Sequence, residues 1–254
     1  MEHKIKIIIL AAGKGKRMQS DEPKALTLFN GKLFLQHILD TIKKLDPKIK
    51  PIIVVGYKKE RIKEVFGENY IYTEQYEQLG TGHAVMSAKK AIDSPHDIAL
   101  VISTDQPTIS KETLENIISA HIKKKPAITI GTVVVPDYKD WRMELYTNFG
   151  RIVRGKDGGV EKIVEFKNTN EEEKKIKEVN RALYAFDAKW LWNNIDKLVI
   201  DPTRGEYKLT DMINIAFTQN KKIEAVPVVD IIEGLQPNSK KELEILENLF
   251  HNSP

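Results

Sequence analysis

Apolar positions along the chain follow two rhythms. Residues 5–10, 51–55, 98–102 and 127–135 are near-continuous runs of apolar, largely β-branched side chains, the pattern of strands covered on both faces. Between them, residues 34–44, 59–66, 81–91 and 111–123 carry apolar side chains three and four apart. That spacing predicts helices with one buried face, Ser110 serving as N-cap of the last. The alternation predicts an α/β fold: a Rossmann-like mixed, mostly parallel sheet flanked by helices, with its ligand at the carboxyl ends of the strands.

From about residue 141 the rhythm changes. Residues 151–154 and 160–166 flank Lys156-Asp157-Gly158-Gly159, a turn composition that predicts a β-hairpin. The charge run 171–178 predicts a solvated helix, 179–186 a strand and 209–217 a helix. Ser239 and Glu242 predict a capping box opening a last amphipathic helix through Leu243, Leu246 and Phe250. This half is expected to be α+β. No internal repeat, low-complexity linker or Pro/Gly-rich boundary interrupts the sequence, so residues 1–254 are expected to form one domain with halves at about 1–140 and 141–254.

Composition narrows the function. With 254 residues, 41% hydrophobic and 30% charged, the chain has the makings of a globular core. Its 40 Lys+Arg against 36 Asp+Glu leave +4, spread along the chain, which implies no nucleic-acid groove and suits an anionic small substrate. The absence of cysteine excludes disulfides, thiolate metal sites and a cysteine nucleophile, and fits a reducing compartment. The first apolar run is too short for a signal peptide, and no segment approaches the ~20 apolar residues of a membrane span. A cytoplasmic protein without membrane or nucleic-acid partners is expected.

The candidate chemistry begins where the first strand ends. Leu10-Ala11-Ala12-Gly13-Lys14-Gly15-Lys16-Arg17-Met18 turns glycine-rich and cationic within a few residues, as a loop that cradles phosphate must. It is not a dinucleotide fingerprint, since Met18 stands where a third glycine is needed, nor a P-loop, since Arg17 follows Lys16. Asp105 ends an apolar strand before Gln106-Pro107, so its carboxylate is expected at the ligand-bearing edge of the sheet. His83, without a second ligand at i+4, reads as structural.

Together with Ser20-Asp21-Glu22-Pro23-Lys24-Ala25-Leu26, the loop closely resembles the signature L-A-A-G-x-G-T-R-M-x-S-x-x-P-K-x-L of sugar-1-phosphate nucleotidyltransferases. Within that superfamily it is most similar to the uridylyltransferase domain of the bifunctional enzymes that make UDP-N-acetylglucosamine. Four further segments agree in order: residues 75–84, Asp105-Gln106-Pro107, residues 149–154 and residues 205–211.

The resemblance implies the nucleotide-diphospho-sugar transferase fold and a reaction in which a sugar-1-phosphate attacks the α-phosphorus of a nucleoside triphosphate and releases pyrophosphate. Arg17 and Lys24 would neutralise the triphosphate. Leu10, Ala11, Ala12 and Gly13 would line the nucleoside; Gln75 and Gly80 would pair with the uracil edge, with Thr81 in reach. Gly150, Glu165 and Asn180 would hold the sugar, an N-acetylhexosamine, with Thr210 near its phosphate. Asp105 would bind Mg2+ together with an amide before the last helix. Counting back from that helix gives Asn238, and anchoring on Glu233-Gly234 gives Gln236; Asn238 is preferred. UTP and N-acetylglucosamine-1-phosphate are the implied substrates.

Several positions depart from the family pattern. Asn-Thr-Gly is here Asn180-Arg181-Ala182, Tyr-Gly-Asp is Ser103-Thr104-Asp105, the second Tyr of Gly-Glu-Tyr-Tyr is Lys208, and Lys16 stands where Thr is usual. Arg181 and Lys208 are expected to point to solvent. These changes leave room for another sugar- or polyol-phosphate or for CTP; a catalytically silent nucleotide-sugar sensor is the reading of a different class. The hexapeptide repeats of the bifunctional relatives' acetyltransferase β-helix do not occur in this sequence, so neither acetylation nor trimerisation through that helix is expected. Oligomeric state is left open.

Overall fold

In the computed structural model, which describes residues 3–18 and 20–251, strand β1 (Ile5–Leu10) lies inside the sheet. A short hairpin of β2 (Leu28–Phe29) and β3 (Lys32–Leu33) leads into α1 (Phe34–Leu45). Next come β4 (Ile52–Val55), α2 (Lys59–Phe66), β5 (Ile71–Glu74), α3 (Thr81–Ala88) and β6 (Ile98–Ser103). They are followed by α4 (Lys111–Lys124), β7 (Ile128–Val134), α5 (Asp140–Tyr146), β8 (Arg151–Arg154) and β9 (Val160–Val164). The chain finishes with α6 (Glu171–Lys174), β10 (Glu178–Asp187), α7 (Ala188–Asn194), α8 (Asp211–Thr218), β11 (Ile223–Pro227) and α9 (Lys240–His251).

The strands run in the order β11-β7-β10-β6-β1-β4-β5. Along this path every pairing is parallel except the two made by β10, which lies antiparallel between β6 and β7. The β8–β9 hairpin joins through a pairing of Arg151 with Val179. The sheet is thus mixed and mostly parallel, as the alternation predicts. After β5 the chain crosses back to place β6 on the other side of β1, and that reversal opens a crevice beyond the carboxyl ends of β1 and β6.

Alternate residues of β1 feed separate cores, because successive strand side chains point to opposite faces. Ile7 and Ile9 pack with Leu35 and Ile38 of α1 and Leu114 and Ile117 of α4. Ile8 packs with Ala84 and Val85 of α3, Leu191 of α7 and Met212 of α8. A third cluster, with Phe34, Tyr146, Leu235 and Leu246, fastens α5 and α9 beside the sheet. Among the described residues, no helix is long and apolar enough to cross a membrane.

The charge run is helical only over its first part. Asn170 caps α6 with both halves of a capping box, but Glu178 already belongs to β10, where its carboxylate receives two bonds from Arg154. The 81–91 helix breaks at Ala88 into a 3-10 turn. Strands β5 and β11 and helices α5 and α7 have no counterpart in the sequence reading; all are short, at four to seven residues.

Candidate active site

The glycine-rich loop is pinned at both ends by backbone. The Ala11 N–H donates to Val54 O at 2.8 Å, and Ala12 O accepts from the Tyr57 N–H at 3.1 Å. Ala11 therefore continues the strand pairing, and its side chain is buried. Gly15 takes a left-handed φ of 66°, and a Cβ there would stand 3.0 Å from Lys24 Cβ. Glycine lets the loop fold back against Lys24. Pro23 then opens a 3-10 turn, Lys24–Leu26, anchored by the fully buried Ala25, and the Lys24 N–H donates to Gly13 O at 3.3 Å.

Anchored in this way, Lys24 reaches across the crevice. Its ammonium donates to Asp105 Oδ2 at 2.8 Å and to Asn238 Oδ1 at 2.7 Å. The Lys24 and Asp105 side chains are 11% and 15% exposed. Burial alone would raise the Asp105 carboxyl, but the charge and hydrogen bond of Lys24 outweigh it and hold it below its ordinary value. Asp105 sits at the carboxyl end of β6, steadied by the Thr104 hydroxyl, which donates to Leu10 O at 3.1 Å.

Asn238 owes its place to the last helix. Ser239 Oγ accepts from the Glu242 N–H at 3.2 Å, but the Glu242 carboxylate takes the N–H of Asn238, at 2.8 Å, in place of that of Ser239. The expected capping box is thus displaced by one residue on its return bond, and it clamps Asn238. The Asn238 amide nitrogen donates to Gln236 O at 2.8 Å, which turns the amide oxygen toward Lys24. Gln236 instead donates to Arg181 O and is not among the residues that line the cavity around Asp105.

This donor set fits a hard divalent cation. Among the described residues, Asp105 Oδ1 is buried without a hydrogen-bond partner, so a carboxylate oxygen is left to accept positive charge. Carboxylate and amide oxygens already converge on one ammonium, and Mg2+ commonly takes only one or two protein oxygens, leaving phosphate and water to complete its shell.

A cavity of about 670 Å3 surrounds this centre, within the range of small-ligand sites. Leu10, Ala12, Gly13, Arg17, Lys24 and Asp105 line one side; Gln75, Gly80, Thr81 and Asn238 also reach it. Gln75 is only 3% exposed, and its amide nitrogen donates to Gly80 O at 2.9 Å. Gly80 itself needs the absence of a side chain. Its φ is 94°, and a Cβ would meet Tyr207 O at 2.7 Å. Thr81 Oγ1 accepts from the Leu209 N–H at 3.0 Å, tying the start of α3 to the second half. His83 Nδ1 lies 2.8 Å from Glu77 O and 3.3 Å from Gln75 Nε2.

Gly150, Glu165, Asn180 and Thr210 lie outside the wall of that cavity. Gly150 O accepts from the Asn180 N–H at 2.8 Å, and the Asn180 side chain is engaged by the Tyr184 hydroxyl and the Ala182 N–H. Glu165 directly follows β9 and Thr210 precedes α8, elements that pack together. Burial raises the neighbouring Asp211 carboxyl; Lys208 opposes this, and Glu165 and Asp201 reinforce it.

Neither Arg181 nor Lys208 points to solvent. Arg181 is 0% exposed, because main-chain and amide oxygens from distant segments replace its water: Glu233 O accepts from Nε at 2.7 Å and from Nη2, and Gln106 Oε1 from Nη1 at 2.9 Å. Lys208 lines the cavity and pairs with Asp201, whose carboxyl it pulls down. Sequence reasoning also missed Tyr57, Gln78 and Glu206 on the cavity wall. Gly56 bears on Gln78: a Cβ there would stand 2.8 Å from Gln78 Nε2 and 2.9 Å from Ala12 Cβ.

Residues 7–162 match the family described as the MobA-like NTP transferase domain. The bifunctional protein GlmU of Streptococcus pyogenes serotype M3 is 39% identical over 243 residues, covering 96% of this chain and 51% of that protein. GlmU of a serotype M12 strain is 38% identical, covering 96% of this chain and 56% of its own length. The chain spans about half the length of the curated relatives it matches. A solved UDP-glucose pyrophosphorylase complexed with UDP-glucose superposes with a TM-score of 0.74 at 16% identity, covering 98% of each chain. The 4-diphosphocytidyl-2C-methyl-D-erythritol synthase of Anaerococcus prevotii gives 0.65 at 16% identity, covering 98% of this chain and 99% of that one. At such identity the likeness is one of fold.

Proposed function

The chain belongs to the MobA-like NTP transferase domain family, and from that premise we propose that it is a Mg2+-dependent sugar-1-phosphate uridylyltransferase. Its donor is UTP, its leading acceptor is N-acetylglucosamine-1-phosphate, and its products are the UDP-sugar and pyrophosphate. The first half holds the nucleotide and the second the sugar. The observation that carries this reading is the convergence of Lys24, Asp105 and Asn238 beside the glycine-rich loop.

The acceptor's phosphate oxygen forms the new bond to the α-phosphorus as the bond to the β-phosphate oxygen breaks, so pyrophosphate leaves with that electron pair. The attacking oxygen is already anionic, and no general base or covalent nucleophile is needed. Alignment and charge neutralisation supply the rate. Arg17, exposed on the cavity wall, meets the β- and γ-phosphates, and Lys24 follows the α-phosphate as its charge is redistributed. Asp105 and Asn238 would hold the metal ion, which would supply positive charge against the triphosphate. Gln75, buried and fixed against Gly80, presents a rigid amide edge to the base.

The test is pyrophosphate release across UTP, CTP, GTP and ATP with N-acetylglucosamine-1-phosphate, glucose-1-phosphate, a uronic acid 1-phosphate and a polyol phosphate. UTP with N-acetylglucosamine-1-phosphate is expected to lead. A CTP preference or a polyol acceptor would replace the substrates but keep the chemistry. Binding of UDP-sugar without turnover would identify a sensor, and full turnover in excess chelator would overturn the metal's part.

A further inference from the structure

The guanidinium of Arg181 is one of the largest fully buried side chains of the protein, yet its donors find only neutral oxygens. Nε and Nη2 bond Glu233 O, and Nη1 bonds Gln106 Oε1. Its own carbonyl accepts from Gln106 Nε2 at 2.6 Å and from Gln236 Nε2. Burial pulls its pKa down to about 10, so it keeps its charge at neutral pH. The Glu233 and Asp105 carboxylates favour the charge from nearby, but among the described residues neither is hydrogen-bonded to it, so much of the cost of burying a cation stands, which calls for a reason beyond packing.

The three segments it joins supply one. Gln106 directly follows Asp105. Glu233 and Gln236 belong to the stretch that delivers Asn238, and the Gln236 carbonyl holds the Asn238 amide at 2.8 Å. Arg181 itself occupies the irregular part of β10, where the register shifts between Asn180 and Leu183 and Ala182 takes a left-handed φ of 55°. That irregularity aims the Arg181 carbonyl and its guanidinium at the two neighbouring loops together.

We infer that Arg181 is a positioning residue that locks the Asp105 turn and the Asn238 segment at the separation at which their oxygens share one divalent cation. The inference rests on the metal-site reading above. It assigns to this chain a support built from a residue that replaces the threonine of the family pattern. Groups that only orient metal ligands typically change metal affinity 10–100-fold, so the effect falls on the ion before it falls on the fold.

The experiment titrates Mn2+ into the full chain with UTP and no acceptor, following free Mn2+ by electron paramagnetic resonance, alongside thermal unfolding and Mg2+-dependence of turnover. Arg181→Met is expected to weaken Mn2+ binding about 10-fold or more and to raise the Mg2+ needed for half-maximal rate in parallel. KM for the sugar phosphate should stay within about two-fold. Arg181→Lys, which keeps the charge but not the fork, should fall between. Gln236→Leu, which leaves the guanidinium in place, provides a second measurement if Arg181→Met does not fold. Variants that melt earlier but bind Mn2+ as the parent does would make Arg181 merely structural and overturn the inference. A parent chain that binds no Mn2+ would instead sink the metal site itself, and the inference with it.

Discussion

Replacing Lys24 by methionine removes the cation that, among the described residues, is hydrogen-bonded to Asp105, while keeping most of the side chain's volume. The pair is largely enclosed, at 11% and 15% side-chain exposure, and among the described residues Asp105 Oδ1 has no partner to share the load. Removing one member of a buried pair typically costs 3–5 kcal/mol, because the other charge is left uncompensated. Some solvent reaches both groups, and Asn238 remains beside the carboxylate, so the lower end, about 3 kcal/mol, is expected. For a chain of this size that corresponds to a melting point lower by about 6–12 °C. The cause can be isolated in a double-mutant cycle by urea unfolding at neutral pH with chelator present. If the cost comes from an orphaned carboxylate, Asp105→Asn added to Lys24→Met should recover at least about half of the lost stability. A double variant no more stable than Lys24→Met would refute the reasoning and assign the loss to packing. Saturating Mg2+ should also stabilise Lys24→Met more than the parent, since the competing ammonium is gone.

Arg17→Ala should cost about 10²-fold in kcat with little change in stability, as expected for an exposed donor acting on developing charge; an unchanged kcat in the pyrophosphate assay would remove it from the site. Gln75→Ala frees the Gly80 carbonyl from its 2.9 Å bond and should narrow the preference for UTP over CTP by about 10-fold, measured as a ratio of kcat/KM; an unaltered ratio would exclude Gln75 from base recognition. His121 is buried on α4, bonded to Thr129 Oγ1 at 2.9 Å, and burial lowers its pKa from 6.5 to about 4. Its neutral form is the folded one, so its contribution is complete above about pH 6.5 and is lost as pH falls toward 4, about 2 kcal/mol by pH 5. The difference in urea-unfolding free energy between the parent and His121→Gln should shift by that amount from about pH 7 to 5, and a constant difference would contradict the assignment.

What the sequence discloses depends on how far away a residue's partners lie. The loop at Gly13 and Gly15 and the strand-end carboxylate of Asp105 announce themselves locally, because an apolar run gives way at once to glycine, charge or proline. Asn238 is legible at one remove: the helix start fixes it, since Glu242, four residues on, holds its N–H. Lys208 is harder, though its partner Asp201 lies in the same loop.

Arg181 is illegible by any local rule. Arginine is rarely buried, and the partners that make burial tolerable, Gln106 and Glu233, are 75 and 52 residues distant. Ala182 beside it carries a similar message. The family pattern has glycine there, and the left-handed φ of 55° shows why glycine is the easier residue. A chain that keeps this backbone with alanine, and fills the preceding position with a buried cation, retains the family's bend while rebuilding what lies beneath it. The glycine-rich loop can be read directly because its candidate chemistry lies on neighbours in sequence. The floor under Asp105 and Asn238 is assembled from three separated segments, and only their meeting in the fold exposes it as a unit.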